Sequence, residues 1–359
     1  MSVKRFMITS ESELPKEPSD PAFVILDVTD PRKISFVDRI RTLGTTVSFA
    51  SHNGLLFCSE LRHLEIFDVS SLPKISRVSM FEGSHPGNTT LYEVSEKRLY
   101  LSSYQQGISV IDVKNPTSPV LLGSCDCDIS VEPTATYGPY GISQIVKKGH
   151  YIYGVAMDYS MTKAREALYV YDVSDIENIR KAARLSTTPV KGHGIAMNGD
   201  NLFVAGACGV LSIDISIPEE PEVIGELSLE GRFGVYALCN HQRLLVSGRI
   251  IGYAEENSEF KDYSNYTSLP ILPSDKSQNG FFQVIDVSNP VHPFLINETR
   301  IDTGEGFGFL VDKDTAYLAC SNGVATVDVR DVNNPTVSAF FDELDQTKEY
   351  IGVAIVEAD

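Results

Sequence analysis

Seven times along the chain a run of apolar residues ends in aspartate and breaks at once into a polar turn. The copies are FVILDVTDP, LEIFDVSSLP, ISVIDVKNP, LYVYDVSD, VLSIDISIP, FQVIDVSNP and VATVDVRDVNNP. Their aspartates are Asp27, Asp68, Asp112, Asp172, Asp214, Asp286 and Asp328, spaced by 41, 44, 60, 42, 72 and 42 residues. Around the copies lie further strand-length apolar stretches bounded by Gly, Asn, Asp and Pro. Between 193 and 228, HGIAMN, NLFVAG, GVLSIDIS and PEVIGELS follow one another with only short turns between. Short apolar runs closed by turn residues read as antiparallel strands. Helical spacing is nowhere sustained. Four strands repeated about every 42 residues predict the blades of a β-propeller.

The expectation is therefore an all-β, seven-bladed propeller, four antiparallel strands per blade, forming a single domain over 1–359. The repeated aspartate has a local reason to recur. At the end of a strand its carboxylate can accept a hydrogen bond from a backbone N–H of the following turn, and the nearby proline fixes φ there. Seven such acids are scaffold rather than catalysis. The first copy is preceded by one strand, KRFMITS, and the carboxyl end supplies IGVAIVEAD. Residues 352–356 are thus expected to pair beside residues 4–9 and close the ring, which removes two free sheet edges.

These runs resemble the LVIVD-repeat family of β-propellers, whose signature is an apolar strand ending in Asp before a Ser/Asn-Pro turn. The resemblance covers nearly the whole chain and implies the propeller fold. It implies no particular activity, because a fold does not determine function. WD-repeat and kelch propellers are a poor match, since the chain has no Trp.

Charge narrows the partners. Thirty basic residues against 48 acidic ones give a net charge of −18, which disfavours nucleic acid and anionic membranes. No apolar stretch is long enough for a signal peptide or a spanning helix, so a cytoplasmic protein is expected. The six cysteines match no zinc spacing. His63, His85 and His193 map to one face but to different repeats, so no metal is assigned. No G-x-S-x-G, phosphate-binding loop or H-E-x-x-H occurs, and GEGFG at 304–308 opens a strand rather than a helix. No cofactor is implied.

The excess length falls on one face of the disc, the top. It lies in 10–21, 125–140, 157–165 and 249–279, and long connections on one rim of a rigid scaffold commonly carry function. The same rim holds the residues that precede the first-strand glycines: Leu43, Pro86, Tyr140, His193, Phe233, Phe307 and Ile351. Aromatics, an imidazole and neighbouring charges in a concave mouth fit a small-molecule pocket. The expected ligand is a largely apolar organic molecule, and the expected chemistry is cofactor-free proton transfer: isomerisation, elimination or cyclisation. His193 is the candidate acid or base, because its ordinary pKa lies near neutrality. Arg232 would stabilise a developing anion, with Glu305 as the third charged group of the reacting set. Tyr140, Phe233 and Phe307 would shape the pocket, and Tyr159, Tyr253, His85 and Tyr350 would line it. A mouth residue such as His193 is expected to be removable at little cost in stability. The rival expectation is a non-catalytic propeller that binds a protein partner; it requires an exposed apolar patch instead of a closed, polar-lined cavity.

Overall fold

The computed structural model describes residues 3–12, 20–60, 63–83, 89–103, 107–127, 141–157, 167–188, 190, 192–250, 280–344 and 348–358. Among them are 26 strands and one short 3-10 turn, Ile176–Asn178, with no α-helix. The strands form antiparallel meanders whose first members run side by side around a central channel. The apolar runs of the sequence become interior strands. Ala22–Asp27 is buried except at its aspartate, and Gly280–Asp286 is buried throughout. Such strands show no polar alternation because neighbouring sheets cover both of their faces. Outer strands such as Ser35–Arg41 are half-exposed. Aromatic rings lock the packing between repeats: Phe23 meets Phe67 edge to face at 5.3 Å, and Phe309 meets Phe282 at 5.4 Å.

The closing blade is built as the chain ends predict. Its spatial order is Glu349–Ala358, Lys4–Ser12, Ala22–Asp27, Ser35–Arg41. Phe6 pairs with Val356, Met7 with Ile355 and Ile8 with Ala354.

The blade count departs from expectation. Counted as hydrogen-bonded sheets, the propeller has six blades, not seven. Five sheets have four strands and one has six. The six-stranded sheet carries both the Asp214 and the Asp286 repeats, here repeats five and six in chain order. Its long strand Asn201–Asp214 pairs with Gly192–Asn198 through residues 201–206 and with Glu222–Asn240 through residues 209–214. The 19-residue strand Glu222–Asn240 closes one repeat and opens the next without leaving the ladder, and the pair Ala207↔Phe233 carries the ladder across the junction. Two repeats therefore share one sheet.

All seven aspartates do what their position predicts. The backbone N–H groups of Thr29, Ser70, Lys114, Ser174, Ser216, Ser288 and Arg330 each donate to the carboxylate two residues earlier, at 2.7–3.0 Å. The residue after each aspartate adds a second bond that the sequence does not display. Val28, Val69, Val113, Val173, Ile215, Val287 and Val329 donate to the carbonyls of Arg5, Gly54, Lys97, His150, Asp200, Gln242 and Asp314. Six of these bonds tie the third strand of a repeat to the turn between its first two, and the Val28 bond ties it to Arg5 near the start of strand Lys4–Ser12.

Candidate functional site at the upper channel mouth

The first strand of a repeat begins at the top of the channel and ends at a short turn on the bottom. Near the top, several of these strands carry a β-bulge. Register shifts single out Val47, Ser143, His193, Val235 and Phe307. A bulge gives one strand an extra residue and re-aims its side chain. Here the re-aimed groups clasp adjacent repeats. Ser143 Oγ donates to the His193 carbonyl at 2.6 Å, and the His193 ring meets the Val235 carbonyl through Nδ1 at 2.7 Å. On other junctions, Ser48 and Thr90 share a 2.6 Å hydroxyl pair, and Ser10 Oγ donates to the Thr46 carbonyl at 2.5 Å. Close approach is possible at His193 because Gly194 follows it: a Cβ there would stand 2.9 Å from the Ala237 nitrogen.

A carbonyl oxygen can only accept, so Nδ1 of His193 carries the proton and Nε2 has the free lone pair. His193 is buried, and burial lowers its pKa to about 4 from the ordinary 6.5; the Val235 carbonyl opposes that shift and Arg249 adds to it. The imidazole is neutral at physiological pH.

Around it the structure gathers four side chains. Phe233 meets His193 with ring centroids 6.0 Å apart and planes at 63°. Phe307 packs against the buried cluster of Ala207, Phe233 and Val235. Arg249 is the direct ladder partner of Phe233 and lays its guanidinium over that ring at 5.2 Å. Arg249 Nη1 donates to Glu305 Oε2 at 3.2 Å. Burial raises the pKa of the Glu305 carboxyl, and Arg249 opposes the rise. The set combines a neutral base, a guanidinium–carboxyl pair and two aromatic walls.

Comparison with known proteins bears on the scaffold. The LVIVD repeat family pattern matches residues 86–127 and 277–300. The chain carries LVIVD repeats on a β-propeller. No curated protein matches it. Among solved structures, a Lactobacillus plantarum protein is 12% identical with a TM-score of 0.69, covering 99% of both chains. A putative 6-phosphogluconolactonase from Bacteroides fragilis is 6% identical with a TM-score of 0.65, covering 99% of this chain and 98% of its own. A periplasmic gluconolactonase from Pseudomonas aeruginosa is 11% identical with a TM-score of 0.60, covering 99% of both. At these identities the likeness shows a shared fold.

In this propeller His193, Phe233 and Phe307 pack together, and Glu305 reaches them through Arg249. Arg232 takes another place. Its Nε and Nη2 each donate to Glu298 at 2.7 Å, so its guanidinium is bound to an outer strand of its own repeat. Arg249, unassigned in the sequence, stands over Phe233 instead. Tyr350 is fully buried in a core cluster with Met7 and Tyr317. Tyr140, Tyr159, Tyr253 and His85 lie outside the described residues, as do most of the four long connections.

A second buried acidic feature also escaped sequence reading. Glu60 and Glu65 are both fully buried on adjacent strands. The Leu43 N–H donates to Glu65 at 2.9 Å, and Arg77 Nε lies 2.5 Å from it. Burial first, then a hydrogen bond with Glu65 and its charge, push the Glu60 pKa far above the carboxylate range. Glu60 is a protonated, neutral acid at pH 7. Among the described residues no three His, Cys, Asp or Glu side chains converge as a metal ligand set, and no helix is long and apolar enough to cross a membrane.

Proposed function

We propose that this propeller binds a small organic molecule at the upper mouth of its channel and hydrolyses an ester or lactone bond there without a cofactor. The observation that carries the reading is the pairing of a neutral, lone-pair-bearing His193 with Arg249 across the face of Phe233. Water is the nucleophile. As its oxygen bonds to the substrate carbonyl carbon, one of its protons passes to His193 Nε2. The carbonyl oxygen becomes anionic and takes hydrogen bonds from Arg249, which Glu305 holds in place. Collapse breaks the bond to the ring oxygen, and the proton on Nε2 returns to that leaving oxygen. The product is a hydroxy acid. Phe233 and Phe307 supply the apolar walls.

The gluconolactonase names belong to neighbours at 6% and 11% identity, and they serve to choose the first substrates. The test is proton release in a pH-stat with a panel of sugar-acid and alkyl lactones. Turnover above the spontaneous rate that vanishes in Arg249→Ala supports the proposal; no turnover on any lactone contradicts it. A second reading, a protein-binding propeller, draws on exposed apolar residues of the outer strands, among them Phe36, Val120, Val223 and Phe294. Retained turnover after charge substitution at Phe36 and Phe294 separates the two readings.

A further inference from the structure

The bottom of the channel holds a second concavity. Its residues sit at the turn ends of four first strands: Thr90–Glu93, Gly141–Lys148, Gly192–Asn198 and the end of Glu222–Asn240. Its volume is about 520 Å3. That is the size of ordinary small-molecule sites. Gln144 marks its upper limit. The Gln144 side chain donates to the Ala237 carbonyl at 3.0 Å and accepts from the Ile195 N–H at 2.9 Å, so it ties three first strands together between this cavity and His193.

The polar wall is one connected unit. Tyr100 donates its hydroxyl proton to Glu93 Oε2 at 2.6 Å, and Lys147 Nζ donates to Glu93 Oε1 at 3.1 Å. Both carboxylate oxygens are therefore engaged. Burial would raise the Glu93 pKa, but the Tyr100 and Lys147 hydrogen bonds outweigh it and keep the carboxylate ionised. The Lys147 ammonium also stands over the Tyr100 ring at 5.2 Å. An ammonium has three N–H donors, and Glu93 takes one. Met197, Tyr236 and Leu238, from the next two repeats, add an apolar surface to the lining.

We infer that this lower cavity is a second binding site, separate from the His193 mouth, for a small organic acid with a flat apolar body. The body lies against Met197, Tyr236 and Leu238, and the acid group accepts from Lys147 Nζ. Glu93 and Tyr100 position the ammonium rather than contact the ligand. Recognition needs an anion, because Glu93 is already saturated and leaves Lys147 as the donor of the site.

Two fluorescent probes of nearly equal shape test this: anionic 8-anilinonaphthalene-1-sulfonate and uncharged N-phenyl-1-naphthylamine. The full chain is titrated with each. Lys147→Met is expected to weaken the anionic probe at least tenfold and the neutral one less than twofold. Met197→Trp, which fills the cavity, is expected to weaken both at least tenfold. Melting temperatures within a few degrees of the parent establish that each variant is folded, and Lys147→Gln replaces Lys147→Met if that variant is not. Unchanged affinity for the anionic probe after removal of the Lys147 charge overturns the inference. Unchanged affinity for both probes in Met197→Trp overturns it as well.

Discussion

The Nδ1 of His193 lies 2.7 Å from the carbonyl oxygen of Val235, across the junction between repeats five and six. That one bond gives the imidazole a structural duty besides its chemical one. His193→Ala leaves a buried carbonyl without a donor and is expected to cost about 1–3 kcal/mol in urea unfolding at pH 7. The view that a mouth residue can be removed freely fails for this reason. The pH dependence follows from burial of the ring, which outweighs the opposing effect of that bond. The folded-state pKa of about 4 lies below the ordinary 6.5, so the unfolded chain binds more protons between those values. The contribution of His193 is full above pH 6.5 and is lost as pH falls through about 4. His193→Ala should remove that part of the slope; an identical slope in the variant contradicts the assignment.

The two arginines near Phe233 should behave oppositely. Arg249 faces the ring and Glu305, whereas Arg232 is bound to Glu298. Arg249→Ala is expected to lower turnover on any active lactone by about a hundredfold or more, the scale of a lost oxyanion donor. Arg232→Ala should retain turnover within about threefold and lose stability instead, because it leaves the half-buried Glu298 without its cation. Steady-state kinetics beside thermal melts read both.

Asp112→Ala and Asp214→Ala each remove an acceptor from a turn, at 2.7 Å to Lys114 and to Ser216. Each should cost about 1–2 kcal/mol, with the affinity for ligands at either end of the channel unchanged in the folded protein. A loss of affinity at unchanged melting temperature places the acid in a site.

Glu60→Gln should be within about 1 kcal/mol of the parent at pH 7, because the amide replaces an already neutral carboxyl and still donates towards Glu65. A carboxyl whose folded pKa is raised stabilises most below its ordinary value and loses that contribution as pH rises through the folded one. The variant cannot ionise, so the parent should lose more stability than Glu60→Gln between pH 7 and 10. Parallel curves refute the assignment.

The fold was legible where each repeat makes the same local bond. The seven aspartates, the strand order and the pairing of the chain ends all follow from short-range pattern. The number of sheets did not, because the contact that fuses two repeats, Ala207↔Phe233, depends on where distant strands settle. His193, Phe233 and Phe307 were legible from their place before a glycine. Tyr350 shares nearly that place, yet its strand pairs with Lys4–Ser12, which sets it opposite Glu11 and inside the core. Arg249 reads as the first residue of a long connection. Only the register that sets it against Phe233 reveals it.

The proposal turns on a neutral His193 with its proton on Nδ1. Nitrogen-15 NMR of the histidine-labelled chain measures this directly across a pH titration, with the His193 signal assigned by its absence in His193→Gln. The account predicts a protonated Nδ1 and an unprotonated Nε2 from pH 8 down to about 5, with imidazolium forming only near pH 4. Titration near 6.5, or a proton resident on Nε2 at pH 7, would contradict it.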